Sequence, residues 1–197
     1  MPEGEIKVPP MSVQMQIAEA SLEIQQIANR EATLSRVATK NSKDMLGPDL
    51  DALAAMALKL DEQLAVAERH AEFLRRAFQE WGPWLNQQIQ QTLKEDHFQP
   101  DQLTQMTAIL DVKDGDFSDL GLSLSGTVVE TIPGSRKELR DAAFNLKGMA
   151  VPVMDWHHVG CTAIDLAMLG GLALCIPTEG AGCVVALGAM IAHAAFC

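Results

Sequence analysis

Residues 50–81 read LDALAAMALKLDEQLAVAERHAEFLRRAFQEW, and the apolar residues Leu50, Leu53, Ala57, Leu60, Leu64, Ala67, Ala71, Leu74, Phe78 and Trp81 recur at alternating steps of three and four. That alternation puts all ten on one face of an α-helix, the heptad pattern of a helix lying along a partner. The alanines at 57, 67 and 71 leave room for the partner's backbone to approach. Gly82 and Pro83 follow Trp81 directly, so the helix is expected to stop or kink there, because proline removes an amide donor and crowds the preceding turn.

The partner stands upstream. Val13, Ile17, Ala20, Ile24, Ile27, Leu34 and Ala38 keep the same spacing, with Glu31 in the seat between Ile27 and Leu34, a heptad seam with one polar interruption. Between the two helices NSKDMLGPDL supplies turn residues, and Pro48, Asp49 and Asp51 suit a helix start, where proline needs no amide partner and acidic groups face the positive end of the dipole. At about 1.5 Å per residue each helix would span about 40 to 50 Å. A loop of about eight residues then implies an antiparallel hairpin. Residues 1–10, MPEGEIKVPP, are expected to be disordered.

Downstream, helical propensity resumes over Trp84 to Asp96 and Asp101 to Val112, and DGD at 114–116 breaks it. LGLSLSGTVVETIPG follows, with Leu120, Leu122 and Leu124 alternating with small residues before the β-branched run Thr127 to Ile132. This predicts a small β-hairpin near 120–132 turning at Ser125-Gly126 and leaning on the helices. Ser135 with Glu138 three residues on has the capping-box spacing and predicts a helix to Leu146. KGMAVPVMDWHHVG, residues 147–160, reads as a linker and processing region around Gly148, Ala150 and Gly160. The expected fold is mainly α, with a helical region over 11–146, the linker, and a C-terminal unit over 161–197.

That last unit holds all four cysteines, Cys161, Cys175, Cys183 and Cys197, at separations of 14, 8 and 14, and its formal charges are Asp165 and Glu179 alone. PTEGAG at 177–182 breaks it into two short apolar arms, a helical hairpin. On a helix, 14 residues return to within about 40° of the starting face. Folding the arms about Glu179 sets Cys175 opposite Cys183 and Cys161 opposite Cys197, the one of three connectivities that suits a straight hairpin. Each bridge would contribute about 2 to 4 kcal/mol to a unit too small to rely on a core alone. Four inert buried thiols are the alternative. Metal binding is disfavoured, since zinc ligands come in closer pairs than these cysteines, and His157 and His158 near Cys161 are the nearest approach. His193, on an apolar helix, reads as a core or interface histidine.

A formal charge of -11 argues against nucleic acid and against electrostatic docking on anionic lipid. No P-loop, G-x-S-x-G or H-E-x-x-H occurs, and Asp111, Asp114 and Asp116 lack the ligand spacing of a calcium loop, so no enzyme, cofactor or metal site is expected. A thiol with His157 or His158 as base is the one nucleophile to consider. Trp81 and Trp84 about Gly82-Pro83 read as core anchors. The N-terminus has no classical signal peptide, which stands against disulfides unless export follows another route.

A long acidic N-terminal region followed by a hydrophobic cysteine peptide resembles the layout of halocin-C8-like bacteriocin precursors. The resemblance lies in the order of parts and transfers no functional residue. It implies synthesis in the cytoplasm, a protease or exporter as processing partner, and a C-terminal hairpin that is secreted and acts on membrane lipid. The arms, about 15 residues each, are short for spanning a bilayer, but Gly170-Gly171 and Gly188 suit tight helix contact in lipid or in a core. The intact chain would then keep that hairpin covered by its acidic helices. The competing expectation is a cytosolic coiled-coil-like scaffold that self-associates through the heptad helices, with the hairpin as core or oligomer contact. Thr162 and Thr178 are hydroxyl residues within this largely apolar unit.

Overall fold

The computed structural model describes residues 5–41, 47–95, 116–147, 156–174, 189 and 197. Four helices make up almost all of it: α1 (Met11–Asn41), α2 (Gly47–Glu95), α3 (Phe117–Lys147) and α4 (Trp156–Leu174). The heptad reading of α1 and α2 holds. Their seats are the buried ones, from Ile17 to Ala38 on α1 and from Leu53 to Trp81 on α2. The two helices run antiparallel, with Glu23 bonded to His70 near the middle and Lys7 3.3 Å from Glu80 at the far end.

α3 lies antiparallel along α2, and α4 antiparallel along α1. Weaker α1–α2 and α3–α4 contacts close the ring, while α2 and α4, on the diagonal, barely touch. This is an up-down-up-down four-helix bundle, each helix antiparallel to the one before it.

At Gly82-Pro83 the chain kinks and continues. Trp81 leaves the helical region with φ -117° and ψ 18°, and α2 runs on to Glu95, so the helix expected over 84–96 is its second half. Pro83 has no amide to offer the Gln79 carbonyl, and the bend absorbs that loss. It also turns both Trp81 and Trp84 into the core, with the Lys7 ammonium 4.4 Å above the Trp81 ring. The N-terminal segment expected to be disordered is in part laid on the bundle. Pro9 is buried, its carbonyl accepts the Gln14 side-chain amide at 3.0 Å, and the Pro10 carbonyl takes the amides of Val13 and Gln14 at 3.0 and 3.1 Å to open α1.

The β-hairpin expected near 120–132 is not formed, and those residues are the first half of α3. The buried positions Phe117, Gly121, Ser125, Val128, Ile132, Ser135 and Leu139 step by three and four, with Leu120 buried beside them. Several of these seats are small or polar, which hid the helical period behind the Leu120, Leu122, Leu124 alternation. Gly121 occupies its seat because the Phe78 ring of α2 lies where a side chain would go, 2.3 Å from a Cβ built there. Ser125 is fully buried yet satisfied, its hydroxyl donating to the Gly121 carbonyl at 2.7 Å. Ser135 sits inside α3 rather than capping a helix of its own. The cap is Asp116, whose carboxylate accepts the Ser118 amide at 3.0 Å and hydroxyl at 2.6 Å, and Asn86 of α2 accepts the Phe117 amide at 2.8 Å. The linker expected over 147–160 is shorter, since Lys147 ends α3 and residues 156–160 already belong to α4. The helix expected over 101–112 lies outside the described residues.

Gly121→Ala should destabilise the bundle by about 1 to 3 kcal/mol, because its methyl overlaps the buried Phe78 ring. Gly126→Ala, whose Cβ meets nothing within 4 Å, should be neutral or stabilising through helix propensity alone. Urea midpoints for the two variants check the register of α3 on α2.

Candidate functional site

α4 is apolar nearly all round, and the face it turns to α1 is small. Gly160 lies over Ser35, where a Cβ would stand 2.9 Å from the hydroxyl oxygen. Gly170 lies over Gln25 and Ser21, where a Cβ would stand 2.9 Å from Gln25 Nε2 and 3.1 Å from the Ser21 carbonyl. Nearly three turns apart on one helix, these glycines let the backbones draw close along a common seam. The seam is polar on the α1 side. Gln25 is buried and donates its side-chain amide to the Ala167 carbonyl of α4 at 2.5 Å, and Ser21 is satisfied within its own helix, donating to Ile17 at 2.6 Å.

At the centre stands Glu31, only 1% exposed. Its Oε1 is hydrogen-bonded to the hydroxyl of Thr162 on α4, and that hydroxyl is also 2.9 Å from the Val159 carbonyl. Oε2 has no hydrogen-bond partner. Burial pushes the Glu31 carboxyl up to about 8, against the opposing pull of the Thr162 hydroxyl and helped by the negative charge of Asp165 one turn further along α4. Glu31 is therefore largely neutral at pH 7. The heptad's polar interruption is a protonated acid inside the bundle.

Beside Thr162, Cys161 is bonded to Cys197, with Cα atoms 6.0 Å apart. Cys161 is half-buried and Cys197 exposed. The other expected pair, Cys175 with Cys183, lies outside the described residues, as do Gly148 and Ala150 of the processing region, His193, Thr178, Asp111 and Asp114. Gly160, placed in that same region from sequence, is instead a packing position within α4. His158 is exposed and bonds Glu138 of α3 through Nδ1 at 3.1 Å. The side chain of His157 is outside the described set. Asp116 is the α3 cap, its carboxyl held below the usual carboxylate range first of all by the Ser118 hydroxyl. Among the described residues no group of three or more His, Cys, Asp or Glu is placed to hold a metal ion, and no helix is long and apolar enough to cross a membrane.

In the sequence Glu31 is a polar interruption of the heptad and Thr162 a hydroxyl in an apolar run, with no local pattern to join them. The available signal was the acid in a heptad seat together with a helix carrying glycines at 160 and 170. Fold and seam together define the class: among the described residues, a four-helix bundle whose fourth helix is docked through a small-residue, hydrogen-bonded interface around a buried acid. No protein-family model, curated protein or solved structure matches the chain.

Thr162→Val keeps the shape and removes the hydrogen bond to Glu31, so it should cost about 1 to 3 kcal/mol, the usual penalty for a buried polar group left unpaired. Pairing it with Glu31→Leu should recover most of the loss, since exchanging both partners for apolar groups is close to neutral. A double-mutant cycle by urea denaturation reads that coupling directly.

Proposed function

We propose that the chain is the precursor of a membrane-active, bacteriocin-like or toxin-like peptide, with residues 161–197 as the active unit and the acidic helices before it as a mask. The observation that carries this reading is the docking of α4, the first arm of that unit. Its large apolar side chains Leu166, Met168, Leu169 and Leu172 are all buried in the bundle, so the surface that would meet lipid is turned inward. The bond between Cys161 and Cys197 joins the beginning of the unit to its last residue. That tie would keep a freed peptide in one piece and hold its arms together.

Release would follow a cut between Lys147 and Trp156, the interval that separates α3 from α4. A protease site placed in that interval gives the decisive comparison on vesicles loaded with a self-quenching dye. The uncut chain should leave them intact, and the cut chain should release dye. Equal inactivity of both forms overturns the masking reading and favours the scaffold alternative, in which α4 is simply a core helix. Intact mass without reduction should show a deficit of about 2 Da for each bridge in the exported form. A fully reduced, uncut chain in its native setting would count against the precursor reading.

A further inference from the structure

The bundle is held unevenly. α2 and α3 interlock through Phe78 packed on Gly121 and through Asp61, which Arg136 reaches at 2.8 Å. α1 and α4 instead meet across a seam of glycine, serine and glutamine with one acid at its middle. The acid's hydrogen bonds close only in one protonation state. Thr162 has a single hydroxyl proton and two acceptors in reach, Glu31 Oε1 and the Val159 carbonyl. When Glu31 is protonated, its own O–H donates to the Thr162 oxygen and Thr162 donates to Val159, so every proton has a place. When Glu31 is ionised, Thr162 has to turn its proton to Oε1, Oε2 has no donor at all, and Asp165 places a second negative charge nearby.

We propose that Glu31 and Thr162 form a proton-operated latch: α4 docks on α1 with Glu31 protonated, and loss of that proton opens the α1–α4 seam while the α2–α3 half stays closed. This regulates the unit assigned above as the active peptide and rests on that reading for its biological meaning, though not for its physics.

The direction follows from linkage. Glu31 holds its proton to about pH 8 when docked, against an ordinary value of 4.5 when exposed to water. Between those values the docked form binds more protons than the open one, so the seam is tightest below about pH 4.5 and weakens as pH rises. The opening equilibrium should rise by up to about tenfold per pH unit through that window and level off above it. Among the described residues, Asp165 is the charge acting on Glu31 from α4. Of the other ionisable groups on the packed elements, Asp61 of α2 pairs with Arg136 of α3, His158 of α4 with Glu138 of α3, and His70 of α2 with Glu23 of α1. Those contacts persist in a variant at position 31 and cancel in the comparison.

The test is amide hydrogen exchange of the full oxidised chain from pH 5.5 to 9, corrected for intrinsic exchange, with peptides covering α4 read against peptides covering α2 and α3. Wild type should lose protection in α4 as pH rises while α2 and α3 hold theirs. Glu31→Gln keeps a donor for Thr162 and cannot ionise, so its α4 protection should be flat with pH. Asp165→Asn keeps Glu31 and removes the neighbouring charge that raises it, so the loss should begin at the same pH but level off at a lower one, with α4 more protected than wild type at pH 8. Parallel pH profiles for wild type and Glu31→Gln overturn the latch. So does a loss of protection spread evenly over all four helices. If Glu31→Gln fails to fold, the Asp165→Asn shift decides alone, and no shift overturns the proposal. Vesicle leakage plays no part in this experiment, so a failed latch and a failed precursor reading give separate results.

Discussion

A helix with apolar residues on almost every side has to be covered, and the burial of α4 on α1 is the constraint around which the rest of the bundle is arranged. α4 contributes no charged face of any size. Its one acidic residue, Asp165, is half-buried, and its large side chains point inward. The α1 face that receives it could have been built from leucines. Serine, glutamine and glutamate stand there instead, matched by glycines on α4. Close backbone approach then replaces bulk, and hydrogen bonds from Gln25 and to Glu31 replace part of the hydrophobic gain. Such an interface is specific, since slipping α4 by one turn would strand Gln25 and Glu31 without partners in a dry seam. It is also weaker than an apolar one of equal area, because neutralising a buried acid costs on the order of 3 kcal/mol at pH 7 for a group moved from 4.5 to about 8.

The α2–α3 half obeys a different economy. α2 carries the longest run of heptad seats, and its kink at Trp81 brings two tryptophans into the core where α3 begins. There Gly82 faces Ser118, Asn86 takes the first amide of α3, and Phe78 fills the gap that Gly121 leaves. Further along, Arg136 reaches the mostly buried Asp61, a charge pair screened from water by the helices it joins. A break in one helix is thus used to start the next. The sequence signal for the kink, Gly82-Pro83 after an unbroken heptad, was plain, but its purpose lay in residues over thirty positions away.

That distance explains which parts of the fold were legible. α1, α2 and their antiparallel pairing follow from apolar spacing alone, since both stripes are written in leucine, isoleucine and alanine. α3 was misread because its inward seats hold Gly121, Ser125 and Ser135, residues whose hydrophobicity says nothing, while its half-exposed Leu122 and Leu124 imitate a strand. The helical choice is made by tertiary packing against Phe78, which no local pattern records. The seam shows the same limit. Glu31 was visible as a polar interruption and Thr162 as a hydroxyl in an apolar run, but the bond between them spans 131 positions. The bonded cysteines also span a long separation, 36 positions, yet there the mirrored spacing supplied a geometric argument that a single acid and a single threonine cannot.

Cys161 and Thr162 are neighbours in α4, and this adjacency joins the covalent and the non-covalent controls on the C-terminal unit. One residue ties α4 to Cys197, and the next ties it to α1. The two ties differ in what they resist. The disulfide restrains the unit internally and is indifferent to where the unit sits, whereas the Glu31–Thr162 bond restrains where it sits and is indifferent to its internal order. Breaking the second leaves the first intact, so α4 can leave α1 carrying residue 197 with it rather than unravelling from its end. The sulfur pair therefore sets what moves, and the carboxyl sets when.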